Sequence, residues 1–268
     1  MKKTFTLMRA RDRDRRHLLR GAVAAAGAAV LAGCDRLSRN DSFTETLQGA
    51  EHLNRSIAKV VAPRPAMAQE FGEDRIAQTF RGNGTLSPQD EDYVALRNGN
   101  FADYRLQVGG LVAKPLALSL AELRALPSRT QVTRHDCVEG WSCIGKWKGV
   151  QLARILEMAQ PRPEAKFVVF RCFDSMDGPS LDGRDSRYYE SIDLDDAHHA
   201  QTILAYELND KPLPVTNGAP LRCRVERQLG YKQAKYVRSI ELVTSFAEIR
   251  GGKGGYWEDE GYEWYGGI

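Results

Sequence analysis

The chain has 268 residues, 42% of them hydrophobic, which suffices for one large domain with a substantial core. Its net charge of +3 is an effect of the start: eight bases against two acids stand in the first 33 residues, leaving the rest slightly acidic. That balance excludes a nucleic-acid footprint, and the lack of a Gly-x-Gly-x-x-Gly after a strand or of a Walker loop excludes nicotinamide and P-loop chemistry.

Residues 1–34 read as an export leader. Asp14-Arg15-Arg16-His17-Leu18-Leu19-Arg20 resembles a twin-arginine motif, and the apolar run over 21–33 is too short to span a bilayer. It closes on Leu31-Ala32-Gly33-Cys34, which resembles a bacterial lipobox with Cys34 as the lipidated residue; Asp35 resembles an inner-membrane retention signal. An ordinary secretory leader with an incidental cysteine is the alternative. These features imply a periplasmic protein, lipid-anchored at the inner membrane. Residues 35–79 are polar and broken by Pro63 and Pro65, and read as a tether with a helical piece over 44–61.

The folded domain is expected over 80–250. Residues 104–108 alternate and end at Gly109-Gly110, a strand and turn. Ser119 and Glu122 form a capping box for a helix over 118–126. Residues 131–134 predict a strand that delivers Cys137 at its end, and 150–159 has helical spacing through Leu152, Ile155 and Leu156. Residues 166–173 predict a buried strand, 174–190 a long functional loop, 193–207 a segment that includes a helical stretch, and 221–225 and 237–243 two further strands. Helices and strands mix without a regular βαβ beat, so the class is α+β. The tail over 251–268 is rich in glycine and aromatics, and reads as a strap on the domain or a docking element for a redox partner.

Chemistry concentrates in Arg134-His135-Asp136-Cys137-Val138-Glu139-Gly140-Trp141-Ser142. By residue types alone Cys137 is a buried structural thiol, a nucleophile paired with His135, a zinc ligand with His135 and Cys143, or a thiolate for a soft metal. The residues leave these open. An even set of Cys137, Cys143, Cys172 and Cys223 also admits a Cys143–Cys172 or Cys172–Cys223 bridge, which a core of this size does not need.

With Asn217-Gly218-Ala219-Pro220-Leu221-Arg222 and Gly230-Tyr231-Lys232-Gln233-Ala234-Lys235 downstream, the Cys137 stretch resembles the sulfite oxidase-type molybdopterin enzymes, and among them the periplasmic methionine-sulfoxide reductase catalytic subunit group. The match runs in order from near Phe80 to the end of the chain. It implies the molybdopterin-binding fold of that family, mixed sheets with surrounding helices, and one molybdenum–molybdopterin per chain with Cys137 as the protein ligand to the metal. The same resemblance puts His135, Asn217 and Arg222 on the cofactor, and makes Lys232, Gln233, Ala234 and Lys235 its phosphate loop. Arg81 and Asn83 fall in the first cofactor loop, a looser match, and Cys172 stands where the family has a cofactor-touching threonine.

Trp141, Trp147, Asp174, Asp177, Arg184 and Tyr188 are candidates for the open face of the metal. Glu139 repels an oxyanion at close range, which disfavours sulfite oxidation. The expected function is two-electron redox chemistry by oxygen-atom transfer on a small or sulfoxide-like substrate. The chain has no Cys-x-x-Cys-His site and no iron–sulfur cysteine cluster, so electrons come from another protein, which the resemblance implies is a haem-bearing membrane subunit. It also implies a monomer. An envelope lipoprotein that binds a ligand without turnover, and a Cys137 thiol hydrolase, are the alternatives.

Overall fold

The computed structural model describes residues 66–176 and 186–268, with scattered residues between 40 and 57. Arg15, Arg16, Cys34, Asp177 and Arg184 lie outside the described residues. The chain divides into two units, Met1–Ile57 and Ala58–Ile268. In the first, the described residues from Ser42 to Ile57 are helical.

Two five-stranded sheets build the domain. The first runs β2 (Leu116–Ser119), β1 (Arg105–Gly110), β10 (Val237–Val243), β5 (Phe167–Ser175), β6 (Arg187–Asp193), with β1 and β10 parallel and the other pairs antiparallel. The second runs β3 (Ser128–Cys137), β4 (Trp141–Gln151), β7 (Ile203–Leu208), β8 (Lys211–Pro212), with β9 (Arg222–Arg224) also pairing β7. Short helices flank them: α1 (Glu91–Asn98), α2 (Leu120–Ala125), α3 (Leu152–Ala159), α4 (Leu194–Ala197) and α5 (Tyr256–Asp259). This is the mixed α+β architecture expected. Among the described residues no helix is long and apolar enough to cross a membrane.

Local signals hold where they are complete. The α2 capping box forms, with Ser119 Oγ accepting from the Glu122 N–H at 3.2 Å and the Glu122 carboxylate accepting from the Ser119 N–H at 2.8 Å. On α3 the residues that repeat at helical spacing, Leu152, Ile155, Leu156 and Ala159, are the buried ones. The main core joins them to β5 and β10 residues such as Val168, Phe170 and Ile240. A smaller core gathers Phe80, Cys143, Trp147 and Leu208.

Three strands depart from the sequence reading. β4 alternates inward, but two of its inward positions are Gly145 and Gly149, which hide the apolar rhythm. Both are forced: a Cβ on Gly145 would lie 2.9 Å from the Phe80 ring, and one on Gly149 would lie 2.1 Å from the Leu204 carbonyl. The helical stretch expected within 193–207 forms as α4, and β7, which the reading did not include, occupies the end of that span. Its run Ile203-Leu204-Ala205-Tyr206 is buried throughout, and a short continuous apolar run carries no period to separate strand from helix. β6 likewise takes over the last part of the expected loop 174–190.

Part of the span 35–79, expected to be a tether, packs on the domain instead. The Gln201 side chain bonds both the N–H and the carbonyl of Ala68, at 2.8 and 3.0 Å. Phe71 N–H donates to Val132 at 2.9 Å and Ala77 N–H to Ile144 at 3.0 Å. Residues 66–79 therefore belong to the domain. At the other end, bridges Glu190–Gly255 and Gln228–Gly267 tie the tail to it.

Candidate active site

Cys137 closes β3, opposite Trp141 on β4, and the turn between them bonds Gly140 N–H to the Cys137 carbonyl at 3.0 Å. Gly140 sits at φ +82°, a conformation glycine adopts without strain. The thiol is buried and lines a cavity with Asn83, Glu139, Asp174, Arg222 and Lys235. Burial pushes the thiol pKa up, the Glu139 backbone N–H and Arg222 pull it down, and the Glu139 carboxylate raises it.

The opposite wall comes from β9 and the loop 230–235. Arg222 is fully buried, donates to the Asn217 carbonyl at 3.2 Å and lies 5.4 Å from the Trp147 ring centre. Burial, then the neighbouring Arg224, lowers its pKa to about 9. The Lys235 ammonium bonds only carbonyl oxygens in the described structure, among them that of Asn83 at 2.6 Å. Burial and Arg222 bring it down to about 7, opposed by Asp174; burial brings Asp174 up to about 7, opposed by Lys235. Among the described residues no carboxylate lies within ion-pair distance of Arg222 or Lys235.

His135 sits behind this wall, fully buried. Its Nδ1 lies 3.0 Å from Arg224 Nη1 and 3.2 Å from Gln233 Oε1. Burial, with Arg222 and Arg224, holds the imidazole well below its usual range, so it is neutral. Gly230 packs directly on it: a Cβ there would stand 2.5 Å from the ring. That contact locks the loop 230–235 against β3 and so against Cys137.

Of the residues singled out from sequence, Cys137, Asn83, Arg222, Gln233 and Lys235 line the cavity. Asn217 borders it through Arg222, and Ala234 holds the wall by accepting from Cys223 N–H at 2.8 Å. The others fall elsewhere. Lys232 is fully buried against Glu190 and Glu258 and does not reach the cavity. Cys172 is buried in β5, where burial and Asp174 keep its thiol protonated. Arg81 is mostly exposed, 5.0 Å from the Trp141 ring centre. Trp147 is fully buried, with the Arg224 guanidinium 4.4 Å from its ring centre, whereas Asp174 and Tyr188 do line the cavity. His135, Cys137 and Cys143 form no metal cage: among the described residues no three such side chains converge, and all four described cysteines are free. Sequence reasoning missed Thr85, Met176, Trp257 and Tyr262 as cavity residues.

Residues 94–248 match the model of the oxidoreductase molybdopterin binding domain. The chain belongs to this family. It is therefore a molybdopterin-dependent oxidoreductase. Over 94% of its length it is 34% identical to a putative protein-methionine-sulfoxide reductase subunit, YedZ1, of Azospira oryzae, covering 87% of that protein. It is also 33% identical, over 65% of its length, to the protein-methionine-sulfoxide reductase catalytic subunit MsrP of Campylobacter jejuni. The corresponding figures for the MsrP of Xanthomonas axonopodis pv. citri are 37% and 58%. The chain spans 61% and 49% of those two catalytic subunits.

The cavity fits the family's cofactor by its own chemistry. Asn83 Oδ1, Asn217 Nδ2 and Arg222 Nε are buried with no hydrogen-bond partner among the described residues. Buried polar atoms are rarely left so, and desolvated cations without carboxylates call for an anion. A pterin with a phosphate supplies both the anion and the missing donors and acceptors.

Proposed function

We propose that this chain is an exported molybdenum–molybdopterin enzyme that removes oxygen from a sulfoxide, with electrons from a separate membrane partner. The observation that carries the reading is one cavity holding a single cysteine, Cys137, beside Arg222 and Lys235, neither of which has a carboxylate within ion-pair distance among the described residues. In this reading one cofactor binds per chain, Cys137 is the protein ligand to its metal, Arg222 and Lys235 hold its phosphate side, and Asn83, Asn217 and Gln233 meet its polar edge. When bound, the cofactor supplies two-electron oxygen-atom transfer.

The protein's own residues select and serve the substrate. Glu139 lines the cavity and disfavours an oxyanion, so a neutral S-oxide is the better fit. Converting a sulfoxide to a thioether and water consumes two electrons and two protons. Asp174, a buried carboxyl at the cavity held near neutrality, can carry one of those protons. The names of the relatives, all methionine-sulfoxide reductase subunits, support the same substrate class. The reading extends to a monomer in the periplasm, lipidated at Cys34 and held at the inner membrane beside a haem-bearing donor.

The test is made on protein purified from a molybdenum-replete host, with a reduced viologen as donor. We expect about one molybdenum per chain and sulfoxide-dependent viologen oxidation. Cys137→Ser should abolish turnover while pterin fluorescence remains. A Cys137→Ser protein with full turnover overturns the assignment, and a loaded parent without turnover leaves ligand binding as the function.

A further inference from the structure

The tail over 251–268 lies beyond the matched family domain, yet two of its side chains, Trp257 and Tyr262, line the same cavity as Cys137. Their rings stack, with centroids 5.3 Å apart and planes 27° from parallel. The Tyr262 N–H donates to the Trp257 carbonyl at 2.9 Å, a turn that passes through Gly261 at φ +104°. Tyr262 also meets Tyr231 edge-on at 5.4 Å, joining the pair to the loop 230–235.

This wall is held in place from below. Glu258, next to Trp257, is fully buried against Lys232. Asp259 accepts from the Tyr189 hydroxyl at 2.6 Å and from the Gly251 N–H at 3.0 Å. The segment carrying the rings is thus fixed to β6 and to the loop 230–235. The cavity is therefore lined both by cations, Arg222 and Lys235, and by an apolar set of Trp257, Tyr262, Met176 and the exposed Val138.

We infer that Trp257 and Tyr262 form the wall that selects the substrate, packing on the sulfur and methylene groups of a methionine-type sulfoxide. A polarizable sulfur on an alkyl chain favours aromatic faces, and a stacked indole and phenol offer such a surface in the cavity that Cys137 lines. The inference rests on the sulfoxide reading above and adds residues of this chain to it. Trp257 and Tyr262 are specificity residues, and cofactor holding falls to Arg222 and Lys235.

The experiment uses cofactor-loaded full chain, with N-acetylmethionine sulfoxide and dimethyl sulfoxide as substrates and molybdenum content measured for each variant. Trp257→Ala and Tyr262→Ala should raise KM for N-acetylmethionine sulfoxide about tenfold, with kcat within about twofold and molybdenum unchanged. Dimethyl sulfoxide, with no chain to lay on the rings, should be affected less, and Trp257→Phe should recover most of the loss. A readout free of turnover is tryptophan emission: N-acetylmethionine sulfoxide should perturb it in the parent and not in Trp257→Phe. Unchanged KM in both alanine variants overturns the inference, as does a joint fall of kcat and molybdenum, which marks a structural role. A loaded parent that reduces neither sulfoxide overturns the sulfoxide reading itself; a parent that reduces both, with variants unaltered, overturns only the wall.

Discussion

Lys232 and Lys235 stand three residues apart on one loop, and their surroundings are opposite. Lys232 is fully buried with two carboxylates, Glu190 and Glu258, on its ammonium. Burial alone would lower its pKa, but the two acids outweigh it and hold the group above its usual range. Lys235 bonds carbonyl oxygens, with Asp174 in the same cavity but not on its ammonium and Arg222 as a like-charged neighbour, and burial prevails. The first arrangement is complete without a ligand and clasps the tail to the domain. The second is incomplete, and its shortfall in negative charge marks the binding site. The difference teaches that a buried cation is functional when its partner is missing from the protein.

The strongest way to break this contrast is Lys232→Met. It strands two buried carboxylates, and losing one partner of a buried ion cluster costs about 3–5 kcal/mol. Urea unfolding of the cofactor-free chain should show that loss; stability equal to the parent would mean that the cluster is not a clamp.

Asp174→Asn sharpens the other side through pH. Burial holds Asp174 near 7 in the folded chain against 3.8 ordinarily, so the folded state keeps an extra proton between those values. Stability of the parent should therefore fall as pH rises across that window, and Asp174→Asn should gain on it steadily over the same range. A difference that is flat in pH would place the carboxyl in water.

Lys235→Met should change the stability of the cofactor-free chain by only about 1–2 kcal/mol, the cost of carbonyls left without a donor. Its pterin and molybdenum content should drop sharply. Normal loading would place the phosphate elsewhere. Arg81→Ala is the smallest expected effect, within about 0–1 kcal/mol and with near-normal loading, because the guanidinium is mostly exposed. Loss of cofactor in that variant would restore Arg81 to the site.

Legibility in the sequence followed the range of the signal. The capping box at Ser119 and the apolar spacing of α3 are written within one or two helical turns, and both formed as read. β4 was illegible because its inward glycines answer to Phe80 and Leu204, residues far away in the chain. β7 was illegible because burial on both faces erases the alternation that identifies a strand. Within the site, the motif around Cys137 and the patches at 217–222 and 230–235 named half of the cavity lining. They also drew in Lys232 and Cys172, which have the right chemistry at neighbouring positions and the wrong surroundings.

What the sequence determined by itself was the family, the α+β class and the set of side chains from which the cavity is drawn, since these rest on residue identity and local spacing. Only the tertiary structure decided which lysine meets a ligand and which an acid, and that the aromatic tail forms a wall of the cavity. The physical reason is that desolvation and charge pairing act between residues brought together by folding. Glu190 and Glu258 come to Lys232 across 42 and 26 positions of chain. No local pattern records that meeting.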